Sequence, residues 1–112
     1  MQVRKNENLG PLYSELLGSD NPVFHRLVDK FIASIPGYLE EIEQAMLKAD
    51  GIELKGLFHN IKGVSGNYGY PELYEECKKA EKLAIQNSVE LDAIVESIIG
   101  ISRRIMLASK LE

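Results

Sequence analysis

Apolar residues recur at separations of three and four from Phe24 onward, through Leu27, Val28, Phe31, Ile35, Leu39, Ile42 and Met46. That spacing lines one side of a helix and predicts one over about residues 21–49 with its stripe turned to a core. Asp20 or Asn21 suits its N-cap, with Pro22 at the first helical position. Pro36 falls inside the pattern and removes one backbone donor. Because the stripe keeps its phase across Pro36, a kinked helix is expected rather than two helices. Gly51 suits the C-cap.

A second helix is predicted over about residues 52–68, with Leu54, Leu57, Phe58, Ile61, Val64, Ser65 and Tyr68 on one side and Gly69 as its stop. Pro71 opens a third, about 71–86, whose core side carries Leu73, Cys77, Ala80 and Ala84. Asn87 and Ser88 read as a turn and N-cap, with Asn87 and Glu90 at capping-box spacing. The fourth helix, about 88–108, bears Leu91, Ile94, Val95, Ile98, Ile101 and Ile105. A short extra helix is expected near 9–17, with Leu12, Leu16 and Leu17 on one side. Residues 1–8 are a polar tail or the end of a linker, and 109–112 a C-terminal tail whose last two residues resemble a cloning remnant. No strand pattern and no repeat breaks the series. Four amphipathic helices joined by short turns pack as an antiparallel, up-down-up-down all-α bundle, one domain over residues 9–108.

Composition narrows the chemistry. A formal net charge of -4 argues against nucleic acid or an anionic membrane as partner. No apolar run approaches the length that spans a bilayer, and the first residues do not form a leader. The single cysteine, Cys77, excludes an internal disulfide and sits on an apolar stripe, as a core thiol would. The two histidines, His25 and His59, lie on different helices without ligand-spaced neighbours, so no metal site is expected. His25 reads as a solvated helix residue, and Glu40, Glu41 and Glu43 as a solvated face. No glycine-rich loop of the nucleotide-binding kinds is present, so the chain has no ATP-binding or kinase machinery of its own.

One face remains unexplained by stability. On a wheel of about 100° per residue, Lys55, Gly56, Lys62, Gly63 and Gly66 all fall within about 60° of His59. A glycine inside a helix costs about 0.5–1 kcal/mol relative to alanine. Three on a solvent face suggest that something large must approach His59, with Lys55, Gly56, Gly63 and Gly66 as the docking surface. A neutral imidazole can take a phosphoryl group and pass it on. Lys62, one turn away, supplies positive charge, and two unit charges about 4 Å apart at an effective dielectric near 20 attract by about 4 kcal/mol before desolvation.

The run His59-Asn60-Ile61-Lys62-Gly63-Val64-Ser65-Gly66-Asn67-Tyr68-Gly69, followed by Leu73, Cys77 and Glu81, resembles the signature of histidine-containing phosphotransfer (HPt) domains. Phe31, Ile35, Pro36, Leu39, Ala45, Ala49 and Asp50 resemble the family's approach to that helix, and the likeness covers about residues 12–108. It implies a phosphorelay intermediate of bacterial two-component signalling. His59 would accept a phosphoryl group from a receiver-domain aspartate and donate it to another receiver. Mg²⁺ would belong to the receiver, and this chain would bind no cofactor. Lys62 carries over as the neutralising lysine, and Gly63 and Gly66 as docking positions. Glu81 stands where the family often has a Glu or Gln that hydrogen-bonds the imidazole, with a plain surface glutamate as the competing reading. Ala80 departs from the bulkier aliphatic usual beside it. The resemblance further implies a monomeric, cytoplasmic domain, either free-standing or the last domain of a hybrid sensor kinase at the membrane. A docking-only module that binds receivers without phosphotransfer, and a purely structural bundle, are the alternatives.

Overall fold

The first long helix starts where local chemistry makes it start. The Asn21 side chain accepts a hydrogen bond from the Val23 amide at 2.9 Å, and Pro22 takes the first helical position. The computed structural model describes residues 10–86 and 88–111. Over these it contains four α-helices, α1 (Pro22–Leu47), α2 (Gly51–Asn67), α3 (Pro71–Leu83) and α4 (Val89–Leu111), preceded by a short 3-10 helix, Glu15–Gly18. Each helix packs on the next in the chain, and α1 also packs on α4. That closes the up-down-up-down bundle expected from the sequence. No strand occurs among the described residues.

The core is the set of stripes read from the pattern. Val28, Phe31, Ile35 and Ile42 of α1 meet Leu54, Phe58 and Ile61 of α2, Leu73 and Cys77 of α3, and Val95, Ile98, Ile101 and Ile105 of α4, all buried. Burying one such side chain stabilises by about 1.5–3 kcal/mol. Tyr70 is buried too, with its ring centroid 5.4 Å from that of Phe31, and Tyr68 packs at 5.7 Å from the same ring. Phe24, at the outer end of the α1 stripe, stays exposed. α1 runs unbroken through Pro36, which lies on its exposed side, so the carbonyl of Ile32 gives up only its usual partner. Among the described residues, no helix is long and apolar enough to cross a membrane.

Several boundaries differ from expectation, each for a local reason. Where a helix was expected near 9–17, residues 10–14 form a non-helical strip leading into the 3-10 helix. The strip is tied to α4 by the Leu12 amide donating to the Arg104 carbonyl at 3.1 Å and by Arg104 Nε donating to the Gly10 carbonyl at 2.9 Å. Ser14 then caps the 3-10 turn by accepting from the Leu16 amide at 3.0 Å. The third helix stops at Leu83, short of 86, and passes into a turn. The fourth runs on to Leu111, so most of the expected C-terminal tail is helix. Asn87 of the expected capping box lies outside the described residues, as do the polar residues 1–8. Ser88 accepts a hydrogen bond from the Glu90 amide at 3.1 Å. His25 is half-buried, and its Nε2 lies 2.8 Å from the Ser19 carbonyl, tying α1 to the turn before it.

The largest correction concerns Gly51. It does not cap α1, which ends at Leu47 with Lys48 as C-cap, but opens α2. The left-handed residue that closes α1 is Ala49, at φ 52°. The Ala49 amide donates to the Met46 carbonyl and the Asp50 amide to the Ala45 carbonyl, the paired bonds of a Schellman ending. Asp50 also caps α2 by accepting from the Glu53 amide at 3.0 Å. Gly51 must be glycine for another reason: a Cβ there would stand 2.6 Å from the Ala84 carbonyl oxygen, where α2 starts against the end of α3. Two opposite outcomes are expected in denaturant titrations. Ala49→Gly raises the unfolding free energy by about 0.5–1 kcal/mol by relieving the left-handed alanine. Gly51→Ala lowers it by about 1–3 kcal/mol through overpacking.

Candidate functional site

Helix α2 places its side chains by what its back must bury. Leu54, Leu57, Phe58, Ile61 and Ser65 are buried, so the opposite side faces out. His59 sits there with its side chain 66% exposed. Lys55, Gly56, Gly63 and Gly66 are exposed as well, and Lys62 is half-buried at the edge nearest α3. Ile52, seven residues before His59 and so on the same face, is among the most exposed apolar side chains. It joins the face at a position the reading of polar residues passes over, although its helical register marks it.

Helix α3 brings the third polar group. Its buried stripe of Leu73, Cys77 and Ala80 sets Glu81 at the seam with α2, only 14% exposed. Glu81 Oε1 lies 3.0 Å and Oε2 3.3 Å from His59 Nδ1. Lys62 Nζ donates to the same two oxygens, at 3.2 and 3.0 Å. So one carboxylate serves an imidazole and an ammonium together. Hydrogen bonds from Lys62 first, and from His59 second, hold the Glu81 carboxyl below its usual range. An ionised carboxylate only accepts, so the hydrogen of the pair belongs on His59 Nδ1. That leaves the lone pair of the ring on Nε2, the nitrogen Glu81 does not engage.

The glycines divide. A Cβ added at Gly56 or Gly63 would meet nothing within 4 Å. At Gly66 it would press on the Tyr74 ring, 3.2 Å from Cδ2. Gly66 thus has a packing reason in its own fold, which the wheel, drawn for α2 alone, could not reveal. Gly69 has two reasons: its φ is +81°, and a Cβ would lie 2.7 Å from Ser14 Oγ. The Ser14 hydroxyl donates to the Tyr68 carbonyl, and the Glu15 amide to the Gly69 carbonyl at 2.9 Å. These bonds fasten the turn that sets α3 beside α2.

Cys77 packs beneath this seam. Burial, then the charges of Glu76 and Glu81, push its thiol up to about 12, so it stays a neutral thiol in the neutral range. Among the described residues, no group of three or more His, Cys, Asp or Glu is arranged to hold a metal ion.

Compared with known proteins, residues 26–103 match the family model described as Hpt domain. Neither the curated proteins nor the solved structures gave a match.

Two outcomes are expected. Gly56→Ala and Gly63→Ala each raise stability by about 0.5–1 kcal/mol, whereas Gly66→Ala gains less or loses, as thermal unfolding of the three variants will report. Glu81 has a lowered folded-state value, so its contribution to stability is fully present above the ordinary carboxylate value of 4.5 and is lost as the pH falls below it, through the folded value. Stability of the native chain therefore falls more steeply over that acid range than stability of Glu81→Gln, measured by denaturant titration at a series of pH values.

Proposed function

We propose a function from one premise: the chain belongs to the Hpt domain family. Its role is therefore one of phosphotransfer in a phosphorelay, since Hpt domains are phosphocarriers that interact with receiver domains. The specific reading is that His59 accepts a phosphoryl group from a receiver aspartate and passes it to another receiver. The observation that supports it best is the held imidazole, its side chain 66% exposed and engaged at Nδ1 by Glu81 at 3.0 Å.

The step needs no general base. The Nε2 lone pair forms the new bond to phosphorus as the bond from phosphorus to the aspartyl oxygen breaks, and that electron pair returns to the aspartate as carboxylate. The imidazole keeps its Nδ1 hydrogen, becomes an N-phosphoryl imidazolium, and donates to Glu81. Glu81 thus fixes the tautomer and offsets the positive charge that develops on the ring. Lys62 offers its ammonium to the phosphoryl oxygens. Gly56 and Gly63, which have open space above them, together with Lys55, admit the receiver. Mg²⁺ is assigned to the receiver, where acidic side chains hold it. Such a relay works as a monomer in the cytoplasm, free-standing or within a hybrid sensor kinase.

The test is incubation with a phosphorylated receiver. Acid-labile, alkali-stable label is expected on the native chain and absent from His59→Gln, and transfer to His59→Gln overturns the site. Gly63→Arg is expected to fold as the native chain does, because its side chain enters open space, yet to lose transfer by at least tenfold. Receiver binding without any label on the native chain favours the docking-only alternative.

A further inference from the structure

We propose that Ile52 and Ile85 form an apolar anchor that seats the receiver on the His59 face, and that a receiver serving this chain presents an apolar surface beside its aspartate. This inference deepens the phosphorelay reading and rests on it. Among the described residues of α2, α3 and the turn after α3, these are the two exposed large apolar side chains, 79% and 57% exposed. Helical register puts both on the side that carries the polar site. Ile52 precedes His59 by seven residues, within about 20° of it around α2. Ile85 follows Glu81 by four, and Ala84 between them keeps helical dihedrals (φ -57°, ψ -39°), so the two share a side of α3. Folding brings these two lines together at one end. A Cβ at Gly51, the residue before Ile52, would stand 3.4 Å from the Ile85 Cα. The missing side chain at Gly51 thus lets the start of α2 abut the end of α3, and the two isoleucines belong to the ends that meet.

Exposed apolar residues scattered singly are ordinary; two on adjoining helix ends, in line with a reacting imidazole, form a patch. Direct phosphoryl transfer requires the receiver aspartate to reach Nε2, so the receiver must cover this face. An interface of ordinary size buries about 800 Å² per partner, a disc of roughly 16 Å radius. At 1.5 Å per residue, Ile52 lies about 10 Å from His59 along α2. It falls inside such a footprint when the receiver extends toward the start of the helix. That direction also puts Gly56, with open space above it, beneath the receiver. Toward the other end the line runs through Gly63 and Gly66 to Asn67 and meets no exposed large apolar side chain among the described residues. Lys55, also exposed, stands between Ile52 and His59. The order along the face is therefore apolar, cationic, then reactive. It suits a receiver whose acidic Mg²⁺ site adjoins an apolar patch. A second copy of this chain fits less well, because two isoleucines bury far less than the roughly 1,200–2,000 Å² of a stable interface.

The experiment follows single-turnover transfer from one phosphorylated receiver, at rising receiver concentration, to the native chain, Ile52→Ala, Ile52→Leu, Ile85→Ala and Val23→Ala. Ile52 and Val23 are each the second residue of a helix and each exposed, and Val23 stands at the opposite end of the bundle. Val23→Ala therefore controls for the loss of an exposed apolar side chain. Ile52→Ala and Ile85→Ala are each expected to raise the half-saturating receiver concentration about tenfold, with the limiting rate within about twofold of native. The rise is expected to be the same at low and high salt, since no charge is lost. Ile52→Leu and Val23→Ala are expected to match the native chain. Ile52→Glu puts an acid in the first turn of α2, which favours the helix, and is expected to fold and to bind more weakly still. Thermal unfolding confirms the fold of each variant. Unchanged half-saturation in both alanine variants overturns the inference, as does a lowered limiting rate at native half-saturation, and both leave the phosphorelay reading intact. A native chain that sediments as a dimer, broken by Ile52→Glu, overturns it in favour of a second copy. Absence of label from the native chain overturns the phosphorelay reading itself.

Discussion

The rotation of α2 about its own axis is the constraint on which the rest depends. Phe58 is fully buried and His59, the next residue, is two-thirds exposed. Adjacent helical residues diverge by about 100°, so the burial that seats Phe58 also turns His59 outward. Truncating a buried phenylalanine costs about 3–5 kcal/mol, far more than the exposed face can contribute. Leu54, Ile61 and Ser65 hold the same rotation from one turn to the next. The polar face is thus positioned by forces that act on its back.

The second requirement is that α3 present Glu81 at the right height. The Tyr68–Tyr70 turn carries that burden. Gly69 adopts a left-handed conformation, Ser14 and Glu15 bind the carbonyls of Tyr68 and Gly69, and Tyr70 buries its ring on Phe31. The N-terminal strip is in turn held to α4 through Arg104. A segment remote from His59 in sequence therefore sets the register between the two helices that share the site. The ion pair itself is a modest source of stability, because Lys62 remains partly exposed and solvent screens it. What it fixes is geometry: one carboxylate held between the imidazole and the ammonium.

The glycines of the chain illustrate how one residue type answers different physical demands. Gly51 yields to a carbonyl of α3, Gly66 to the ring of Tyr74, and Gly69 to both a left-handed turn and the Ser14 side chain. Gly56 and Gly63 have no such neighbour. Their cost to the helix is therefore not explained inside the domain. Ala49 is the converse case, a left-handed position filled without glycine.

Much of this was legible in the sequence. The spacings of three and four named the helices and nearly every core residue, because helical periodicity and burial are local properties of the chain. The face carrying His59, Lys55, Gly56, Lys62, Gly63 and Gly66 was legible for the same reason, since all six share one helix. What the sequence could not supply was whatever depends on a second element. The contact of Glu81 with both His59 and Lys62, the seat of Tyr74 against Gly66, the collision that keeps Gly51 a glycine, and the strip at residues 10–14 all join parts of the chain brought together only by folding. A pattern along one helix fixes direction around its axis. Distance between helices is set by how their side chains interlock, and that is decided only in the packed bundle.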